Sequence, residues 1–176
     1  MSNESNALNQ AHAKMASIRE MVAALECDYD RLEELREARD DFASDVDGGA
    51  AIRAAHELWA EENPEDAEEL VELEELAGDC SDREEAEQRI LEDALSVEVR
   101  EDWHAAGDTC ADPSEFRILL CTGGPHVQIR GELSQCEPSR AWLEYSDWFT
   151  GLTERVNRPG DMEALLSYAR CFWFGE

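Results

Sequence analysis

Lysine is almost missing from this chain: Lys14 is the only one among 176 residues, and every other cationic side chain is arginine. Set against 43 Asp and Glu, the 15 Lys and Arg leave a formal net charge of −28. A chain so charged is repelled by anionic lipid headgroups and by nucleic acid, which argues against a membrane surface or direct nucleic-acid contact as its target. No apolar run approaches the roughly 18 residues that a membrane span needs. The segment MSNESNALNQ also lacks the basic-then-apolar layout of a secretory signal. Paired cysteines are missing too. Cys27, Cys80, Cys110, Cys121, Cys136 and Cys171 are scattered singly with no C-x-x-C. That spacing points to reduced, apolar thiols in a cytoplasm rather than a disulfide framework or a zinc site.

Catalytic motifs are equally scarce. His12, His56, His104 and His126 are isolated, and neither H-E-x-x-H nor G-x-S-x-G occurs. A Cys121 and His126 pair would rest on proximity in a hairpin alone. The glycines of TGGP, residues 122 to 125, lack the lysine and the following helix of a phosphate loop. The expectation is a protein that is not an enzyme and needs no cofactor or metal.

What the chain does contain is enough apolar residue, 43%, to build a core for one domain with or without an appendage. Its charge is uneven. Residues 1–94 hold 29 acids and 8 bases, whereas residues 95–176 hold 14 and 7. The split coincides with a change from helical to two-residue apolar period, which predicts an α+β fold: an acidic helical region over 1–94 and a small α+β domain over 95–176.

In the first region Ile18, Val22, Leu25, Tyr29, Leu32 and Leu35 recur at steps of three and four, predicting one long helix from Ala11 to about Phe42 with a coiled-coil-like seam. The paired glycines of DVDGG end it. A second helix over 50–62 would bury Ile52, Ala55, Leu58 and Trp59, after which Asn63 can cap and Pro64 can start a third. AGDCSD closes that one before a fourth begins near Asp82. Turns this short favour antiparallel neighbours.

The third helix lies in EENPEDAEELVELEE, residues 61–75, which carries nine carboxylates and no Lys or Arg: Glu61, Glu62, Glu65, Asp66, Glu68, Glu69, Glu72, Glu74 and Glu75. Its apolar stripe is thin, namely Ala67, Leu70, Val71, Leu73 and Leu76. At helical rise the acids fall about one per 2.5 Å of axis, against about one phosphate per 1.7 Å of duplex DNA. Like charges at i and i+4 cost a few tenths of a kcal/mol each, and no lysine in the segment relieves them. A solvated face, or adaptation to salt or solubility, would explain the acids without a partner. A basic partner would explain their one-sidedness.

The second region reads as a meander of SVEVREDW (96–103), EFRILLC (115–121), HVQIRGEL (126–133) and SRAWLEYS (139–146), a four-stranded antiparallel sheet. Val97, Val99, Phe116, Ile118, Leu120, Val127, Ile129, Leu133, Leu143 and Tyr145 fall on one face. A helix starting at Asp161, with Met162, Leu165, Leu166, Ala169, Phe172 and Trp173, would cover that face. The other face shows Glu98, Arg100, Arg117, Gln128, Arg130, Glu132, Arg140, Trp142 and Glu144. These residues are either cross-strand pairs or, through Trp142 and the arginines, a docking surface. Trp148 and Phe149 in YSDWFTGLTE either plug the core or anchor a partner.

The runs GDCSDREEAEQRILEDALSVEVREDWH, FRILLCTGGPHVQIRGEL, EPSRAWLEYSDWFT and EALLSYARCFWFGE resemble a group of small uncharacterised acidic proteins of bacterial phages and integrative elements, over residues 78–176. That resemblance implies a mobile-element origin. By charge and context the chain is also similar to DNA-mimic anti-defence proteins, whose carboxylates stand in for phosphates. The resulting expectation is a cytoplasmic interaction protein. Glu61, Glu62, Glu65, Asp66, Glu68, Glu69, Glu72, Glu74 and Glu75, with Trp142 and Trp148, would meet a basic nucleic-acid-binding protein of the host, such as a nuclease or a restriction or CRISPR component. The alternative is a self-associating structural or assembly protein that forms a homodimer through the first helix. Burial of Ile18 to Leu35 within the chain favours the first, and burial between chains the second.

Overall fold

The computed structural model describes residues 3–101, 112–123, 125–147, 153–156 and 158–175, with backbone alone for 3–5 and 153–156. The fold is α+β. Five helices, α1 (Asn3–Glu26), α2 (Tyr29–Phe42), α3 (Gly49–Glu62), α4 (Pro64–Ala77) and α5 (Arg83–Asp93), precede an antiparallel sheet, and α6 (Asp161–Ala169) follows it. The sheet has the order β1-β2-β3-β4-β5: β1 (Ser96–Glu101), β2 (Pro113–Cys121), β3 (His126–Ser134), β4 (Glu137–Ser146) and β5 (Thr153–Val156). The four strands expected from alternation are β1 to β4, and β5 extends the sheet beyond β4.

The single long helix expected over 11–42 is two helices, broken at Cys27 and Asp28. Asp28 is the N-cap of α2, its carboxylate accepting the Arg31 amide at 3.1 Å. The carbonyl of Ala24, left over at the end of α1, accepts the Cys27 amide at 3.4 Å and the Tyr29 hydroxyl at 3.0 Å. The apolar period runs on through the break because Leu25 and Tyr29 are still four apart, so spacing alone conceals it.

Packing divides the chain into two compact units, residues 1–22 with 87–176 and residues 23–86, where composition alone placed a boundary at 94. Charge follows the packing: the 64 residues of 23–86 hold 24 acids and 5 bases, a net of −19 within the chain's −28.

In residues 23–86, α2, α3 and α4 surround a core of Cys27, Leu32, Leu35, Trp59, Leu70, Leu73 and Ala77. Of the apolar residues expected inside α3, Trp59 is buried, Ala55 is half-buried, and Ile52 and Leu58 are exposed. In α4, Val71 and Leu76 are likewise exposed, leaving Leu70, Leu73 and Ala77 as its buried contact with Ala67 half-buried beside them. Pro64 does open α4. Asn63 spends its side chain on the preceding helix instead, donating to the Trp59 carbonyl at 2.9 Å. Burial pushes the Tyr29 phenol up to about 12, aided by the thiols of Cys80 and Cys27 and the carboxylates of Asp82 and Glu85.

The other unit places the sheet's inner face, Phe116, Ile118, Leu120, Val127, Ile129, Leu143 and Tyr145, against α6 and buries Ala7, Ala11, Met15, Ile18 and Val22 of α1. Val97 and Val99 share that face by register, opposite Ile118 and Phe116, yet remain exposed because β1 is the sheet's edge. Helix α6 stops at Ala169. It buries Leu165, Tyr168 and Ala169, while Met162 and Trp173 point outward. Phe174 returns to place its ring 4.8 Å from Phe116.

Two polar ties fix the helices of this unit. Lys14 reaches Asp93 at 2.6 Å, and Asp93 also accepts the buried Tyr168 hydroxyl at 3.0 Å; burial and that carboxylate raise the Tyr168 phenol far above its ordinary value. Arg19 pairs with Asp161, a carboxylate only 1% exposed that also accepts the Arg158 amide at 2.5 Å. Arg19→Ala leaves that carboxylate buried with one partner fewer. A loss of about 2 kcal/mol is expected in urea denaturation, below the full cost of breaking a buried pair because Arg19 is partly exposed.

The β3–β4 hairpin turns on Gln135 and Cys136, with φ of 53° and 62°. Two successive left-handed residues are a type I′ arrangement that Asn-Gly fits and these residues resist. Replacing the pair by Asn-Gly should raise stability by about 1 kcal/mol in the same assay.

Candidate functional site: the acidic helical faces

The nine carboxylates of residues 61–75 separate into two groups once α2 lies beside α4. Asp66, Glu69 and Glu74 turn toward α2 and are half-buried. Arg31 donates to Asp66 at 2.8 Å and to Glu69 at 2.7 Å, and Arg36 donates to Glu74 at 3.2 Å with Arg39 at 3.7 Å. The pairs ascend together along both helices, so α2 and α4 run the same way with α3 returning between them. The hydrogen bonding of Arg31 to the Glu69 carboxylate, with the attraction of Glu69 and Asp66, holds the Arg31 guanidinium even more firmly protonated than usual. The segment's missing cations are therefore supplied by arginines some 35 to 38 residues earlier in the chain.

Glu61, Glu62, Glu65, Glu68, Glu72 and Glu75 form the second group. All six are exposed, and among the described residues none has a cationic partner. Within α4, Glu65, Glu68, Glu72 and Glu75 follow steps of three, four and three, which places them in one row pointing away from Leu70, Leu73 and Ala77. Exposed Val71 flanks the row. Glu61 and Glu62 end α3, whereas the four on α4 span about 15 Å of axis, one charge per about 5 Å, against about 3.4 Å along one DNA strand.

The structure adds a second row. Asp30, Glu33, Glu37 and Asp41 lie exposed on α2, at steps of three, four and four, opposite buried Leu32 and Leu35. The signal was present in the spacing. A single helix over 11–42 hides it, because its seam runs through α2.

No family model matches the chain, and neither a curated protein nor a solved structure does.

The two tryptophans expected at a partner surface fare differently. Trp142 lies on the outer face of the sheet but is buried at 9% exposure, its indole N–H donating to Glu144 at 2.7 Å. Gln128 donates to the same carboxylate at 2.9 Å and meets His126 at 3.0 Å, so this end of the outer face is an internal polar network. Trp142 is thus covered in this arrangement rather than presented at the surface. Trp148 lies outside the described residues. The remaining outer face is cross-strand ion pairs. Arg100 and Arg130 both donate to Glu115, at 2.5 and 2.6 Å, and a groove of about 360 Å³ lies between them. Partial burial pushes the Glu115 carboxyl up, but the two guanidiniums outweigh it and hold the group below its usual range.

Among the described residues no three His, Cys, Asp or Glu side chains converge as metal ligands, and no helix is long and apolar enough to cross a membrane. Cys27 and Cys80 are buried free thiols. Burial and neighbouring Asp28 push the Cys27 thiol up, against a smaller opposing pull from Arg36, making it a poor nucleophile.

Proposed function

We propose that this protein is a non-enzymatic acidic interaction protein of a mobile element. It acts in the cytoplasm by presenting carboxylates in place of phosphates to the nucleic-acid-binding surface of a basic host protein. The observation that carries this reading is the row Glu65, Glu68, Glu72 and Glu75, free of cations and held on a helix with its own packed core. A solvated helix ordinarily mixes signs, as α2 and α4 do where they face each other. Their outward faces do not. The row offers a basic groove a rigid line of charge, one per about 5 Å, within about twofold of the axial spacing of phosphates on one strand, so that binding releases the counterions of both surfaces.

Assembly through the first helix has less to work with. Of the seam on which it depends, Ile18, Val22, Leu25, Leu32 and Leu35 are buried within one chain and Tyr29 packs half-buried against its core. The resemblance of residues 78–176 to acidic proteins of phages and integrative elements implies a mobile-element origin alone, and it is the likeness in charge to DNA mimics that points to a defence or DNA-processing protein as the target.

The test is capture from a bacterial lysate on the immobilised chain at low salt, followed by elution with duplex DNA. Release of a basic nucleic-acid-binding protein by DNA supports mimicry. Captured proteins that DNA leaves in place would sink it.

A further inference from the structure

Strand β1 ends the described sheet: its neighbour is β2, and Val97 to Glu101 are all exposed. An edge strand turns half of its N–H and C=O groups away from its one partner, and sheets commonly blunt such edges with proline or lysine. β1 has neither, its pairing with β2 stays regular from Ser96 to Arg100 and shifts only at Glu101, and its inner-face residues Val97 and Val99 are 37% and 51% exposed. Trp173, 79% exposed, precedes the Phe174 that packs on Phe116, the register partner of Val99, so an exposed indole stands near the same rim.

The outer face of the sheet carries two ion ladders that stop at this edge. One runs from Arg130 through Glu115 to Arg100, and the other from Arg117 to Glu98. The first ends on a cation and the second on an anion, their side chains 69% and 52% exposed. Along β1 these two ends flank Val99, one residue before it and one after.

We propose that β1 pairs antiparallel with β1 of a second copy of this chain, centred on Val99, joining two five-stranded sheets into one. In that register each copy's Glu98 faces the other copy's Arg100, and the two ladders close into a continuous alternation of charge crossing the interface twice. Slips that keep the faces matched move the pairing by two residues and set Glu98 against Glu98 or Arg100 against Arg100, so charge selects one register. The two inner faces become continuous, with Val99 against Val99. Mutual repulsion of the acidic chains opposes the pairing at low salt, and screening relieves it. The salt dependence is thus the reverse of that expected for the acidic rows.

The test is sedimentation equilibrium of the full chain at about 0.3 M salt, where the screening length is well below 10 Å. A monomer–dimer equilibrium is expected. Glu98→Arg and Arg100→Glu should each weaken it about ten-fold or more, because two facing pairs change from attraction to repulsion. An equimolar mixture of the two variants should recover it, since the introduced arginine then faces the introduced glutamate while the untouched Glu98 faces the untouched Arg100. Val99→Lys should abolish it with an unchanged circular dichroism spectrum. A chain that stays monomeric overturns the proposal, including one that instead captures an unrelated strand peptide. So does a dimer indifferent to both charge reversals, or a mixture that fails to recover.

Discussion

Gly131→Ala is expected to cost about 3 kcal/mol or more in urea denaturation, the upper end of what overpacking a sheet core produces. Gly131 sits in mid-strand on β3, paired with Phe116 of β2 on one side and Ala141 of β4 on the other. A Cβ added there would stand 2.2 Å from the Arg140 carbonyl oxygen and 2.3 and 2.4 Å from two atoms of the Phe116 ring. The ring could swing aside, at the loss of its contact with Phe174. The carbonyl belongs to the adjoining strand and can retreat only by opening the β3–β4 ladder. The bare backbone at Gly131 is thus what lets Phe116 lie flat over the sheet and lets the C-terminal segment close on it. Phe116→Leu in the same background relieves the ring clash alone, so it should recover part of the loss and not all of it. Full recovery would place the strain in the ring and leave the carbonyl contact irrelevant.

Gly131 also marks where the sequence stops being informative. The alternation of Val127, Ile129 and Leu133 with Gln128, Arg130 and Glu132 identifies β3 and its faces without any structure. A glycine inside such a run signals close approach of something, and only the register names it as Phe116 and the Arg140 carbonyl. The same holds elsewhere. The apolar spacing of Ile18 to Leu35 correctly marks what is buried, but it carries through the Asp28 cap, because a cap is a local hydrogen bond that leaves the period intact. β5 is four residues long, too short for any alternation to be read. Trp142 alternates onto the polar face as expected, yet it is covered there, because burial depends on what lies above a strand and not on its own pattern. The charge of residues 61–75 was legible as an excess. Its partition into paired and free carboxylates was not, since the pairing arginines come from a different helix.

That partition changes which substitutions test the acidic rows. Glu65→Gln, Glu68→Gln, Glu72→Gln and Glu75→Gln combined remove four free carboxylates and five like-charge pairs at i and i+3 or i+4 within α4, three among themselves and two with Glu69. Melting should rise by roughly 3 °C, from about 1 kcal/mol of relieved repulsion. Binding to the basic protein captured from lysate should fall about 30-fold, if each charge contributes about 0.5 kcal/mol across a screened surface. The dependence of affinity on salt should flatten at the same time, because fewer counterions are released when fewer charges meet the groove. Glu69→Gln serves as the opposing control. That carboxylate accepts both the Nε and an Nη hydrogen of Arg31, so its loss should lower stability slightly, by about 0.5 kcal/mol, and leave binding nearly unchanged. A charge that served solubility alone would make the two substitutions alike in binding and different only in aggregation. Retained affinity and an unaltered salt slope in the fourfold variant would remove α4 as the contact surface, and the row Asp30, Glu33, Glu37 and Asp41 on α2 would be the next to neutralise.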